Sequence, residues 1–248
     1  MRVRFLNMGD SALILELGDH IDHSLTSRVV ALDQTLRSEQ AKGHLPGFIE
    51  AVPTYRSLTV IFNPLILPRA ILKTRLLVLL EEIDNARDQT VRCWLLPVCY
   101  SSEYGPDLET IAAAKGLTAE EVICLHSNHS YTVYMIGFLP GFPYMGNLDP
   151  ALHMPRRSQP RIRVPVGSVA IAGAQTAIYP WESPGGWQLL GRCPLPLFNA
   201  HRSQPTLLAQ GDRVQFESIS SDHFRFLVDA VQDGSLDMTR FQTGEVTA

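Results

Sequence analysis

A chain of 248 residues with 45% hydrophobic and 19% charged residues carries enough apolar sequence for a real core, in one large domain or two modest ones. Its formal net charge of −4 offers no basic footprint for nucleic acid. The opening MRVRFLNMGDSALILEL is interrupted by Asn7, Gly9 and Asp10 and does not read as a signal peptide. The greasiest run, residues 65–83, contains Pro68, Arg69, Lys73 and Arg75, which argues against a membrane span.

In chain order, Val3 to Leu6 and Ala12 to Leu17 read as strands around a Gly9-Asp10 turn. Ile21, Leu25, Val29, Leu32 and Leu36 then recur at helical spacing. Phe48 to Val52 and Leu58 to Phe62 read as two further strands. Pro68 suits the first turn of a second helix, whose apolar face carries Ile71, Leu72, Leu76, Leu79, Leu80 and Ile83. The order ββαββα suits a small α+β sandwich with helices on one antiparallel sheet. The polar stretch Asp84 to Gln89 reads as a linker, so the expected domains are residues 1–87 and 88–248.

Beyond it, Val91 to Tyr100 reads as a buried strand broken at Pro97. A short helix is expected over Asp107 to Lys115 with Gly116 as its C-terminal cap. The next helix opens on Thr118-Ala119-Glu120-Glu121, a capping box. Short strands are expected at 131–138, 161–172, 176–179, 187–193 and 213–218, the pattern of a barrel or sandwich. Ser220 or Ser221 is expected to cap a last helix. Sixteen of the chain's 34 glycines and prolines lie between Gly137 and Gly191, interleaved with aromatic and aliphatic residues. Such density rules out a long helix and suggests a shaped loop-and-strand surface.

Several chemistries lack their signatures. There is no GxxxxGK[ST] loop, no GxGxxG after a strand, no GxSxG elbow, and no HExxH or Cys/His metal set. The four cysteines form no CxxC pair and read as reduced thiols of a cytoplasmic protein.

The remaining candidates have plainer readings beside their functional ones. His126 and His129 would share a helix face, but no third metal ligand is near in sequence; by spacing alone, a dipole-facing histidine and a surface one are the favoured explanation. Arg156, Arg157, Arg161 and Arg163 suit carboxylate or phosphate, or simply an ion-pairing strand. Gln175-Thr176 would place an amide at a strand tip or stabilise a turn. The segment Ser183 to Trp187 offers backbone N–H groups or a turn. Phe138, Phe142, Tyr144 and Trp187 are pocket walls or core aromatics.

Taken together, Leu125-His126-Ser127, GFLPGFPYMGNLD (137–149), PRRSQPRIRVPVGSVAIAGAQTAIYP (155–180) and SPGGWQLLGR (183–192) resemble the KipI family. That family is also called allophanate hydrolase subunit 1, or the B subunit of ATP-dependent 5-oxoprolinase. Gly9 to Ala12, Ala51 to Pro53, Leu58 to Val60, LPVCY (96–100) and GPDL (105–108) fit it too. The resemblance implies an N-terminal α+β domain followed by a cyclophilin-like β-barrel. It implies a homologous partner, of the type of allophanate hydrolase subunit 2 or the 5-oxoprolinase C subunit, expected as a separate polypeptide. A further subunit would use ATP, and no cofactor or metal is expected on this chain. Its site positions map to His126, Phe138, Gly141, Phe142, Arg156, Gln175, Thr176, Gly185 and Gly186. His126 is the expected general acid/base, on the ground that a histidine titrates near neutrality, and Gln175 the residue that orients a carbonyl. Arg156 or Arg157 would hold a substrate carboxylate. Family relatives also suggest two rivals: an inhibitor of a histidine kinase, and a carboxyltransferase half of a biotin-dependent urea carboxylase. The isolated chain is expected to be inactive and to self-associate.

Overall fold

The computed structural model describes residues 3–20, 22–85 and 90–247. Ile21 of the expected helical stripe and residues 86–89 of the expected linker lie outside them. The described residues divide into two compact units, one of residues up to Thr90 together with Thr247 and one of Val91–Val246.

The first unit follows ββαββα: β1 (Arg4–Met8), β2 (Ala12–Glu16), α1 (His23–Ala41), β3 (Phe48–Pro53), β4 (Ser57–Phe62) and α2 (Arg69–Asn85). The strands form one antiparallel sheet in the order β1-β2-β4-β3. Alternation places Leu13, Leu15, Leu58, Val60 and Phe62 on one buried face, where they pack with Val29, Leu32 and Leu36 of α1 and Leu72, Leu76 and Leu79 of α2. Asp22 caps α1 through bonds from the Ser24 and Leu25 N–H groups. Arg28 of α1 pairs with Asp84 of α2 at 2.6 Å.

The second unit contains β5 (Thr90–Val98) from Val91 on, α3 (Leu108–Lys115), α4 (Ala119–Ser127), β6 (Tyr131–Ile136), β7 (Pro143–Gly146), β8 (Arg161–Val164), β9 (Ser168–Ala172) and β10 (Gln175–Ile178). It continues with β11 (Ser183–Gly185), β12 (Gln188–Arg192), β13 (Arg213–Ser218), α5 (Ser221–Gln232) and β14 (Gln242–Thr247). Eight strands form a mixed sheet in the order β12-β9-β10-β7-β6-β13-β5-β14, and β8 pairs with β11 separately. The sheet curls: Arg192, ending β12, bridges Cys99, just past β5, through reciprocal N–H···O bonds of 2.9 Å.

Three expectations change here. The strand at Pro97 is not broken; Pro97 lies opposite Glu217 in the parallel ladder with β13, since a proline costs a strand one donor and leaves its carbonyl. The 161–172 stretch is two strands, separated by a turn at Gly167, whose φ is 81°. Ser183 to Gly185 is a strand rather than a turn. The α4 capping box is present, Gly116 ends α3 with φ 67°, and Ser220 caps α5. Among the described residues no helix is long and apolar enough to cross a membrane.

Candidate functional site

The curled sheet has two differently furnished faces. Met145, Val169, Ile171 and Ile178 belong to the large core that also takes in Val122, Tyr131 and Phe216. Their strand neighbours Ala170, Ala172 and Ala177 face a second cluster containing Phe142, Tyr179, Trp187 and Leu189, with Leu139 and Tyr144 against it.

His126 lies on the large-core side with no solvent exposure, in the last turn of α4. Its ring stacks on Phe216 at 4.7 Å between centroids. Nδ1 is 2.8 Å from the Tyr100 hydroxyl and Nε2 is 2.9 Å from Thr176 Oγ1. Thr176 Oγ1 donates to the Ala170 carbonyl at 3.2 Å. Its one proton being used there, it accepts from Nε2–H, and Nδ1 accepts from Tyr100; this assigns a neutral tautomer with every polar atom satisfied. Burial drives the His126 pKa down to about 3, and His129 nearby pushes the same way. The residue expected as a near-neutral acid/base is thus a buried imidazole with both nitrogens occupied. Thr176 is likewise inside the core, with no solvent exposure. His129 packs its ring against Tyr131 instead of joining His126 at a site.

Gln175 alternates with Thr176 along β10 and shares its face with Ala177, which pairs with Tyr144. By alternation the two expected catalytic residues lie on opposite sides of one sheet.

The aromatic face carries the cation. Phe142 is buried at its centre, with Phe138, Tyr144, Tyr179 and Trp187 in edge or tilted contact at 4.8–6.0 Å. Phe142 packs beneath the other rings and is itself 1% exposed. The Arg156 guanidinium sits 5.9 Å from the Trp187 ring centroid. Its charge acts on both neighbouring phenols, opposing the rise that burial imposes on Tyr144 and Tyr179. Among the described residues no carboxylate pairs with it.

The other three arginines are engaged. Arg157 Nη1 and Arg161 Nη2 donate to Asp107 Oδ1 at 3.0 and 2.6 Å. Arg163 pairs with Glu182 at 2.7 Å in solvent. Arg157, expected as an alternative carboxylate holder, thus already shares the Asp107 carboxylate. Asp107, 3% exposed, is the residue the sequence reading missed, because its partners are remote in the chain.

The glycines shape this face. Gly141 has φ 80°, and a Cβ there would come within 2.8 Å of Phe198 Cβ. A Cβ on Gly185 would meet the Tyr179 hydroxyl at 2.4 Å. Gly186 accepts the Arg157 N–H at 2.7 Å. Phe138 has φ 70°, uncommon for a non-glycine residue, and is 64% exposed beside the cluster. A cavity in the first unit, lined by Arg4, Glu16, His20 and Arg56 among others, contains none of these residues, and its arginines pair with Glu16.

A curled, mostly antiparallel sheet with helices packed against it, and a guanidinium over an aromatic wall, defines a mixed α- and β-containing protein. The chain belongs to the carboxyltransferase domain, subdomain C and D family, which it matches over residues 3–208. It is 40% identical over 234 residues to the 5-oxoprolinase B subunit of Bacillus subtilis, covering 90% of this chain and 96% of that one. The crystal structure of TTHA0988 superposes with a TM-score of 0.74 at 37% identity; the match covers 89% of this chain, and the chain spans 41% of that one. Kluyveromyces lactis urea carboxylase shares the fold with a TM-score of 0.73 at 20% identity, over 99% of this chain and 24% of its own.

Proposed function

We propose that this chain is the non-ATP-binding B subunit of an ATP-dependent 5-oxoprolinase, which opens 5-oxoproline to glutamate. The observation that carries the reading is the Arg156 guanidinium, over Trp187 and without a carboxylate partner among the described residues, in a chain so similar to a named 5-oxoprolinase B subunit. A small lactam acid presents a carboxylate for a planar guanidinium and a flat ring for an aromatic face. Arg156 holds the carboxylate, Trp187 and Tyr144 flank the ring, and Gln175 orients the lactam amide from the same sheet face.

ATP is spent on another subunit, phosphorylating the lactam oxygen. Water then adds to the activated carbon, the C–N bond breaks with protonation of nitrogen to leave a γ-glutamyl phosphate, and a second water hydrolyses that acyl phosphate to glutamate and phosphate. Among this chain's residues, His126 holds Thr176 and the core of the sheet and moves no proton. The second unit takes the part of a cyclophilin-like barrel and the first that of an α+β sandwich. A homologous partner of the C type covers the exposed Gly/Pro-rich rim near Phe138 and Trp181, and the isolated chain is inactive. The test is reconstitution with a C-type partner and the ATP-using subunit, measuring glutamate. ATP-dependent release that requires this chain supports the reading, and its absence from the full set overturns it.

A further inference from the structure

Asp107 stands at the N-cap of α3, yet its side chain makes no capping bond. Its carboxylate is instead 5% exposed and committed elsewhere. Oδ1 accepts from Arg157 Nη1 and Arg161 Nη2, and Oδ2 accepts from the Leu189 N–H at 2.7 Å. The Asp107 N–H donates to the Leu189 carbonyl at 3.1 Å, so backbone and side chain grip the same residue.

Both ends of the Arg156 peptide segment are tied to that strand. The Gln188 amide donates to the Pro155 carbonyl at 3.1 Å, and the Arg157 N–H donates to the Gly186 carbonyl at 2.7 Å. Trp187 lies between Gly186 and Gln188. One carboxylate therefore fixes the loop that carries Arg156 on the segment that carries its aromatic floor. It also occupies two of the three neighbouring cations, and among the described residues Arg156 is the one of the four left without a carboxylate.

We infer that Asp107 is a positioning residue: it sets the Arg156 guanidinium over Trp187 and keeps Arg157 and Arg161 from competing for the substrate carboxylate. This rests on the carboxylate reading of Arg156. It goes beyond that reading in making anion selectivity depend on a buried residue that touches no substrate.

The experiment uses the reconstituted complex and compares Asp107→Asn, Asp107→Glu, Arg156→Gln and the Asp107→Asn/Arg156→Gln double variant. Asp107→Asn is expected to raise KM for the lactam acid about tenfold or more while kcat changes less than about threefold, because a displaced binding group loses orientation without altering the reacting atoms. Asp107→Glu restores part of the loss. In the Arg156→Gln background, Asp107→Asn adds no further rise in KM, the non-additivity of residues acting through one another.

A merely structural Asp107 would lower the melting temperature and the yield of active complex with KM unchanged, and that result overturns the inference alone. Equal KM rises in both backgrounds also overturn it. An unchanged KM in Arg156→Gln removes the carboxylate reading, and the inference with it. Should Asp107→Asn fail to fold, Arg157→Gln, which leaves the Arg161 and Leu189 bonds in place, carries the same expected KM rise, and an unchanged KM there is equally fatal.

Discussion

His126 Nε2 and Thr176 Oγ1 meet at 2.9 Å inside a core that excludes solvent from both residues. The contact ties the end of α4 to the middle of the curled sheet, and Tyr100 ties the other ring nitrogen to the chain just past β5.

That buried imidazole makes stability depend on pH. An exposed histidine takes its proton near 6.5, whereas His126 resists protonation down to about 3. Between those values the unfolded chain binds the extra proton. Stability therefore falls as pH drops through this window, by up to about 1.4 kcal/mol per pH unit from this group. Urea denaturation between pH 7 and pH 4 measures the slope. His126→Gln should flatten it and, at pH 7, cost about 1–3 kcal/mol through unmatched hydroxyls. An unchanged slope in the variant would show that His126 is not the titrating group.

Two adjacent glycines should behave differently. Gly185→Ala drives a methyl into the Tyr179 hydroxyl and ring and is expected to cost about 1–3 kcal/mol, with altered near-ultraviolet dichroism. Gly186→Ala meets only ordinary contacts of 3.6 Å or more, and its melting temperature should stay near that of the parent. Equal effects would contradict the packing around Tyr179.

Arginine substitutions separate binding from surface charge. Arg156→Gln should raise KM for the lactam acid about tenfold or more, as expected for the loss of a charge-assisted contact. Arg163→Gln breaks a solvent-exposed pair with Glu182 and should leave KM and stability nearly unchanged. Steady-state kinetics on the reconstituted complex decides between them.

The thiols should divide by burial. Cys124 is exposed, while Cys99 and Cys193 are buried and the Cys193 thiol is pushed up to about 12 by burial. In the native protein a disulfide reagent should label Cys124 first. Cys99 and Cys193 should react only after denaturant is added, and peptide mapping reads the order.

The elements with periodic or capping signatures were legible: both long helices of the first unit, the Thr118–Glu121 box, Gly116 at its positive φ, and Ser220 before α5. Strand β7, Pro143–Gly146, is too short for any alternation to show, and β11 was hidden by its Pro-Gly-Gly composition. Asp107 was invisible because its partners are 50, 54 and 82 residues away. The separation of Gln175 from Thr176 was available in principle, since adjacent strand residues face opposite ways. What the sequence lacked was which face was dry. Of four similar arginines, only the fold tells which ones already have a carboxylate.

Strand β13 lies between β6 and β5, and it is parallel to β5, pairing Arg213 with Cys93. The matched family region stops at residue 208, before this strand begins. A fragment cut at that point would lose an interior slat of its sheet and expose two raw edges. During synthesis the strand opening this unit must wait for about 120 further residues before its parallel neighbour emerges, and such distant pairing folds slowly. The second unit is therefore expected to stay open to aggregation and proteolysis until nearly its whole length has left the ribosome.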